Sequence, residues 1–122
     1  MIIFPCVAAL HAVIVQNKGG GHGEIGFQLA KKLDMQVTLL QDASAKATAL
    51  PFSLYDELPP NVKVSWCDVS DATAVMSALD GPPVTHIFDN YAKSPADAAN
   101  FMSIAKTTPG FLCYVFVSSA GM

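Results

Sequence analysis

Three glycines recur at a spacing of three in Gly20-Gly21-His22-Gly23-Glu24-Ile25-Gly26, just after an apolar run ending at Gln16. Such a pattern, between a strand and a helix, can make main-chain N–H groups into a cradle for an anion; the competing reading is a loop that merely turns the chain. The first glycine permits a tight turn, the second lets backbone approach a pyrophosphate, and the third lets the following helix lie close to its strand. Glu24 works against this wherever its carboxylate points inward, because it would repel the same anion. Two acidic residues extend the pattern. Asp42 follows a second apolar run, 22 residues after Gly20, where a carboxylate can accept hydrogen bonds from ribose hydroxyls; the competing reading is a solvated Asp that starts the following loop. Asp68, with Val69, follows a third run, where a carboxylate can accept from an exocyclic amine; the competing reading is that Asp68 or Ser70 caps a helix. With no arginine near Asp42 to meet a 2′-phosphate, NAD is favoured over NADP, although Lys46 is a cation within reach of that position. His22 lies in the turn without a sequence-visible carboxylate or nucleophile to make it a base, and His11 and His86 fall in strands, as core or interface histidines do.

Those residues need a scaffold, and the hydropathy pattern supplies one. Leu10–Gln16, Gln36–Gln41, Val62–Cys67, Val84–Asp89 and Phe111–Val117 read as strands, the last a nearly unbroken apolar run FLCYVFV. Between the first two lies a helical pattern with Ile25, Leu29 and Leu33 on one face. Residues 42–61 form a long connection with Pro51-Phe52 and Pro59-Pro60 and at most one helical turn. A short helix spans Asp71–Leu79, with Ser70 or Asp71 as its cap. Ser94-Pro95-Ala96-Asp97 writes a helix start in full: a capping serine, proline at N1 and an acid at N3. That helix runs to about Lys106 and is expected to bury Ala98, Phe101, Met102 and Ala105. Strands alternating with helices, most of them apolar throughout, imply a parallel sheet covered on both faces. Right-handed crossovers then favour the order 3-2-1-4-5, an α/β, Rossmann-like doubly wound sheet.

Composition narrows the classes of function. The chain has 122 residues, room for one domain, and only 14% of them are charged, against about 25% in an average soluble domain. That excludes a solvating or disordered segment. All seven basic residues are lysines, against ten acids, so the arginine-bearing basic stripe of a self-sufficient nucleic-acid binder is missing. Three cysteines (6, 67, 113) without ligand spacing argue against a disulfide framework or a zinc site. The apolar opening, of which residues 1–10 read as an extension, is broken by Pro5 and His11. It has neither the cationic flank of a secretory signal nor the arginines of a transit peptide.

GGGHGEIGFQLAKKL (19–33), the loop with Pro51-Phe52 and Tyr55-Asp56-Glu57-Leu58, IFDNYAK (87–93) and YVFVSSAGM (114–122) together resemble the amino-terminal half of an atypical or extended short-chain dehydrogenase/reductase. The closest likeness within it is to the chloroplast stem-loop binding proteins. The resemblance covers about residues 12–122 and would match only the first third of a full-length member. It implies a single NAD(P)-binding-like domain, cut before a sixth strand, in the chloroplast stroma or on the stromal face of a membrane complex. Cofactor contacts would come from Gly20, Gly21, His22, Gly23, Ile25, Gly26, Asp42, Asp68, Val69, Asn90 and Ser118. The family's catalytic serine is matched by Ser119, but its Tyr-x-x-x-Lys pair is not: four residues after Tyr55, Tyr91 and Tyr114 stand Pro59, Pro95 and Ser118. Without that tyrosine a carbonyl substrate has no proton carrier.

Three functions follow as expectations. One is a non-catalytic nucleotide-binding module of plastid RNA or ribosome-associated complexes. Another is a structural accessory subunit of a plastid assembly, such as a photosynthetic membrane complex. The last is a fragment of an NAD-dependent nucleotide-sugar epimerase or reductase. In each, a partner is expected over the apolar edge Phe111–Val117 and the apolar amino terminus, since an exposed apolar edge invites association.

Overall fold

A computed structural model describes residues 9–16 and 22–118, the side chain of His22 excepted. The calls on Gly20, Gly21 and Ser119, and the apolar segment 1–8, therefore lie outside the described residues. Five strands, β1 (His11–Gln16), β2 (Gln36–Asp42), β3 (Val62–Cys67), β4 (His86–Asn90) and β5 (Cys113–Phe116), form one sheet in the order β3-β2-β1-β4-β5. Every pairing is parallel. Helices α1 (His22–Lys32), α2 (Ala72–Ala78) and α3 (Pro95–Thr107) make the crossovers, with a 3-10 helix (Phe52–Glu57) in the β2–β3 connection. This is the Rossmann-like α/β arrangement expected from the hydropathy pattern.

All six residues of β1 are buried, as befits the central strand of a sheet covered on both sides. Its side chains alternate between two cores. Val13 and Val15 join Leu40, Ile87, Val75 and Ala78 of α2, and Phe101 and Ile104 of α3. Ala12 and Ile14 join Val37, Leu39, Phe27 and Ala30 of α1, and Phe52 and Tyr55 of the β2–β3 connection. Each fully buried valine, leucine, isoleucine or phenylalanine contributes about 1.5–3 kcal/mol through removal from water.

Two helix faces differ from expectation. On α1 the buried stripe is Gly23, Gly26, Phe27 and Ala30, while Ile25 is 49% exposed and Leu29 and Leu33 sit only at the margin of the core. The helix turns Gly26 to β1 and Gly23 to the β2–β3 connection, where the missing side chains let its backbone come close. On α3, Phe101 and Ile104 are buried, whereas Met102 is exposed and Ala98 and Ala105 are partly covered. Its cap is as expected, with Ser94 Oγ accepting from the Asp97 N–H, but the Asp97 carboxylate reaches one residue further back, to the Lys93 N–H.

At the amino-terminal end of the strands His11 is fully buried, with Nδ1 2.8 Å from the Pro82 carbonyl and Nε2 2.8 Å from Thr38 Oγ1. Only an N–H can face a carbonyl, so Nδ1 donates there. This histidine fastens β1 to β2 and to the α2–β4 connection, at the end of the sheet away from the crevice described next.

Candidate functional site

Because β2 lies on one side of β1 and β4 on the other, the connections leaving β1 and β4 diverge at the carboxyl ends of the strands. This is where parallel α/β sheets open a crevice. An open cavity of about 510 Å³ is found at that end, lined by Asp42, Ala43, Ser44, Asp68, Ser70 and Tyr91. Asp42 closes β2, Asp68 follows β3 and Tyr91 follows β4, so three strand ends supply the polar lining. Asp42 and Asp68, separated in the chain, are thus brought together.

Both carboxylates are oriented by the same local device. Asp42 Oδ1 accepts from the Ser44 N–H at 2.8 Å and from Ser44 Oγ at 2.5 Å. Asp68 Oδ1 accepts from the Ser70 N–H at 3.0 Å and from Ser70 Oγ at 2.5 Å. Two Asp-x-Ser turns therefore stand side by side at successive strand ends. Neither Asp68 nor Ser70 caps α2: Asp71 does, accepting from the N–H groups of Thr73 and Ala74. Of the two residues proposed with this end of β3, Asp68 lines the crevice, while the Val69 side chain is fully buried in the core and can offer a ligand only its main chain.

The crevice is electronegative. The Cys67 thiol is held above its ordinary pKa by burial and then by Asp68, Asp42 and Asp71. The Tyr91 hydroxyl is raised by burial and then by Asp97, Asp42, Asp68 and Asp89. Such a surface favours hydrogen-bond donors without negative charge, such as a ribose diol or an aromatic amine, and opposes a phosphate placed among the carboxylates. Among the described residues no group of three or more His, Cys, Asp and Glu side chains could hold a metal ion.

Beside the crevice, under the start of α1, lies a row of buried amides that hydropathy did not reveal. Gln16, Gln41 and Asn90 occupy matching register positions on β1, β2 and β4. Asn90 Nδ2 donates to Gln16 Oε1 at 2.8 Å, and Gln16 Nε2 donates to the Gly23 carbonyl at 2.7 Å and to Tyr55 Oη at 3.3 Å. Tyr55 Oη in turn donates to Gln41 Oε1 at 2.5 Å. Asn90 is thus placed inside this network. Gly26 lies directly over it: a Cβ there would fall on the Gln16 amide, 2.6 Å from Nε2. The space in front of Gly23 is taken by the chain itself, since a Cβ would lie 3.1 Å from the Phe52 ring. Gly26 thus serves close helix–strand packing as expected, while the room at Gly23 is used by the β2–β3 connection. Ile25 faces away from the sheet, and Ser118 lies exposed beyond β5.

The tyrosines are poorly suited to proton transfer near neutrality. Burial pushes Tyr55 up to about 12, against a smaller downward pull from its hydrogen bond with Gln16. Tyr114 is raised by burial, then by its hydrogen bond to Asp89 and by that carboxylate's charge. A tyrosine in an unfolded chain ionises near pH ~10. Raised folded-state values mean that the unfolded chain loses these protons first, so their contribution to stability is complete below about pH 10 and is lost as pH rises through about 12. Urea midpoints are therefore expected to fall with pH above about 10, and to fall less steeply in Tyr55→Phe.

Compared with known proteins, the chain matches no family model and shows no significant similarity to a curated protein.

Proposed function

We propose that this chain is a non-catalytic NAD(P)-binding-type module that takes NAD ahead of NADP. The observation that carries the reading is the convergence of Asp42 and Asp68, each oriented by its own serine, on one crevice with Tyr91 beside the start of α1. A ribose diol would donate to Asp42 and the adenine amine to Asp68, with the pyrophosphate toward the glycine turn. The acidic surroundings of Asp42 disfavour the extra phosphate of NADP. The motif likeness to chloroplast stem-loop binding proteins supports a role in plastid RNA or ribosome-related complexes. The shortage of basic residues means that RNA contact would depend on partners.

Titration of the chain with NAD and NADP tests this. NAD is expected to bind more tightly, and Asp42→Ala to weaken it about tenfold by removing the acceptor for the ribose hydroxyls. Binding of neither dinucleotide at millimolar concentration would remove the proposal.

A second reading, a structural accessory subunit of a larger plastid assembly such as a photosynthetic membrane complex, is favoured by the β5 edge. Leu112 is 65% exposed and Phe116 50%, with Cys113 and Val115 also exposed. No charged side chain occurs between Thr107 and Met122 to discourage association. Among the described residues no helix is long and apolar enough to cross a membrane.

A further inference from the structure

We infer that Gln16 is a positioning residue, clamping the two ends of the glycine turn together so that α1 begins at a fixed height above the strand ends. The consequence for ligands rests on the nucleotide reading above; the clamp itself does not. Gln16 is the last residue of β1 and Gly23 the second of α1, so the 2.7 Å bond from Gln16 Nε2 to the Gly23 carbonyl joins the chain entering the turn to the chain leaving it. A freely rotating glutamine would make a poor clamp, but this one is fixed on every side. Its amide oxygen is held by Asn90 Nδ2, and its second N–H points to Tyr55 Oη. Because a carbonyl must be met by the nitrogen and an amide donor by the oxygen, these partners determine which way the amide faces.

Two further features fit around this amide. Gly26 leaves out the one side-chain atom that would collide with this amide. Tyr55 is carried in from the β2–β3 connection, where its ring packs against Phe27, Phe52 and Trp66 and its hydroxyl bridges Gln16 to Gln41. The chain between Asp42 and β3 thereby links the acidic crevice to the start of α1. Main-chain donors bind an anion well only when they are aligned beforehand. The clamp therefore acts on the part of a ligand that carries phosphate and not on the part that meets Asp42 and Asp68.

The probes that separate these parts are ADP and adenosine, titrated against the chain and against Gln16→Leu and Tyr55→Phe. Gln16→Leu is expected to weaken ADP about tenfold and adenosine less than about twofold, with Tyr55→Phe, which keeps the ring packing, moving ADP alone by about threefold. A merely structural glutamine would weaken both probes together or neither, and either result overturns the inference. If the unaltered chain binds neither probe, the nucleotide reading fails, and amide hydrogen exchange decides the clamp on its own. Exchange at Gly26 and Phe27 is expected to accelerate about tenfold in Tyr55→Phe relative to Ile14 and Leu39 in the strands. The same factor of change at all four would overturn it.

Discussion

Gly26→Ala is expected to destabilise the chain by about 3–5 kcal/mol, a fall in melting temperature of roughly 10–20 °C. The cause is local. The new methyl group would occupy the position of the Gln16 amide, which has to leave, because the backbone of α1 is held against β1 by Phe27 and Ala30. Expelling the amide strands the Gly23 carbonyl and the Asn90 Nδ2 group in a buried space. Gly23→Ala, three residues earlier in the same helix, is the control. There the methyl would meet the edge of the Phe52 ring, which can give by a few tenths of an ångström, and alanine gains about 1 kcal/mol of helix propensity. Its net effect is expected to stay within about 1 kcal/mol. If the collision with Gln16 is the mechanism, the pair Gly26→Ala and Gln16→Ala is non-additive, and the double variant is no less stable than Gln16→Ala alone. Thermal melts of the four chains check this, and equal costs at Gly23 and Gly26 would refute it.

The same pair of glycines marks the boundary of what could be read in advance. Strand order was accessible because parallel strands buried on both faces leave apolar runs such as AVIV and VTLL, and right-handed crossovers leave few ways to arrange them. The buried face of α1 was not. Glycine carries no hydropathy, so Ile25, Leu29 and Leu33 outweighed Gly23 and Gly26 in the periodicity, although close approach to β1 at Gly26 and to the β2–β3 connection at Gly23 decided the outcome. On α3, Ile104 is buried where Met102 was expected to be.

At the site, Asp42 and Asp68 were legible as acids following apolar runs. The serines that aim them were visible only as a repeated Asp-x-Ser at two strand ends. Gln16, Gln41 and Asn90 look like polar residues ending their strands. Only the register, which sets Gln16 opposite both partners, shows that they share one buried row. Tyr55 could not be placed at all, since its contacts with Gln16 and Gln41 cross a connection without regular periodicity.

Asp89→Ala is expected to be as damaging as the collision at Gly26, about 3–5 kcal/mol, through loss of acceptors instead of excess volume. Asp89 is fully buried on β4, facing the core that holds Ile87 and Phe101. Burial of a carboxylate is tolerable only when donors surround it. Oδ1 accepts from the N–H groups of Tyr91 and Ala92, each at 2.9 Å, and Oδ2 accepts from the Tyr114 hydroxyl on β5. The side chain thus shapes the turn that delivers Tyr91 to the crevice, and it also ties the edge strand to its only neighbour within the described sheet. Alanine would leave two main-chain donors and one hydroxyl without an acceptor. Asparagine would keep an oxygen for the two N–H groups and present its amide to Tyr114, whose hydroxyl can rotate to accept. A cost of only about 1 kcal/mol is therefore expected for Asp89→Asn, and about 1–2 kcal/mol for Tyr114→Phe. Urea unfolding of the three variants checks the ranking. Because Asp89 sets the position of Tyr91, Asp89→Ala is also expected to weaken adenosine and ADP alike, unlike the phosphate-selective loss at Gln16. An alanine variant as stable as the asparagine one would show that the carboxylate does not hold the turn.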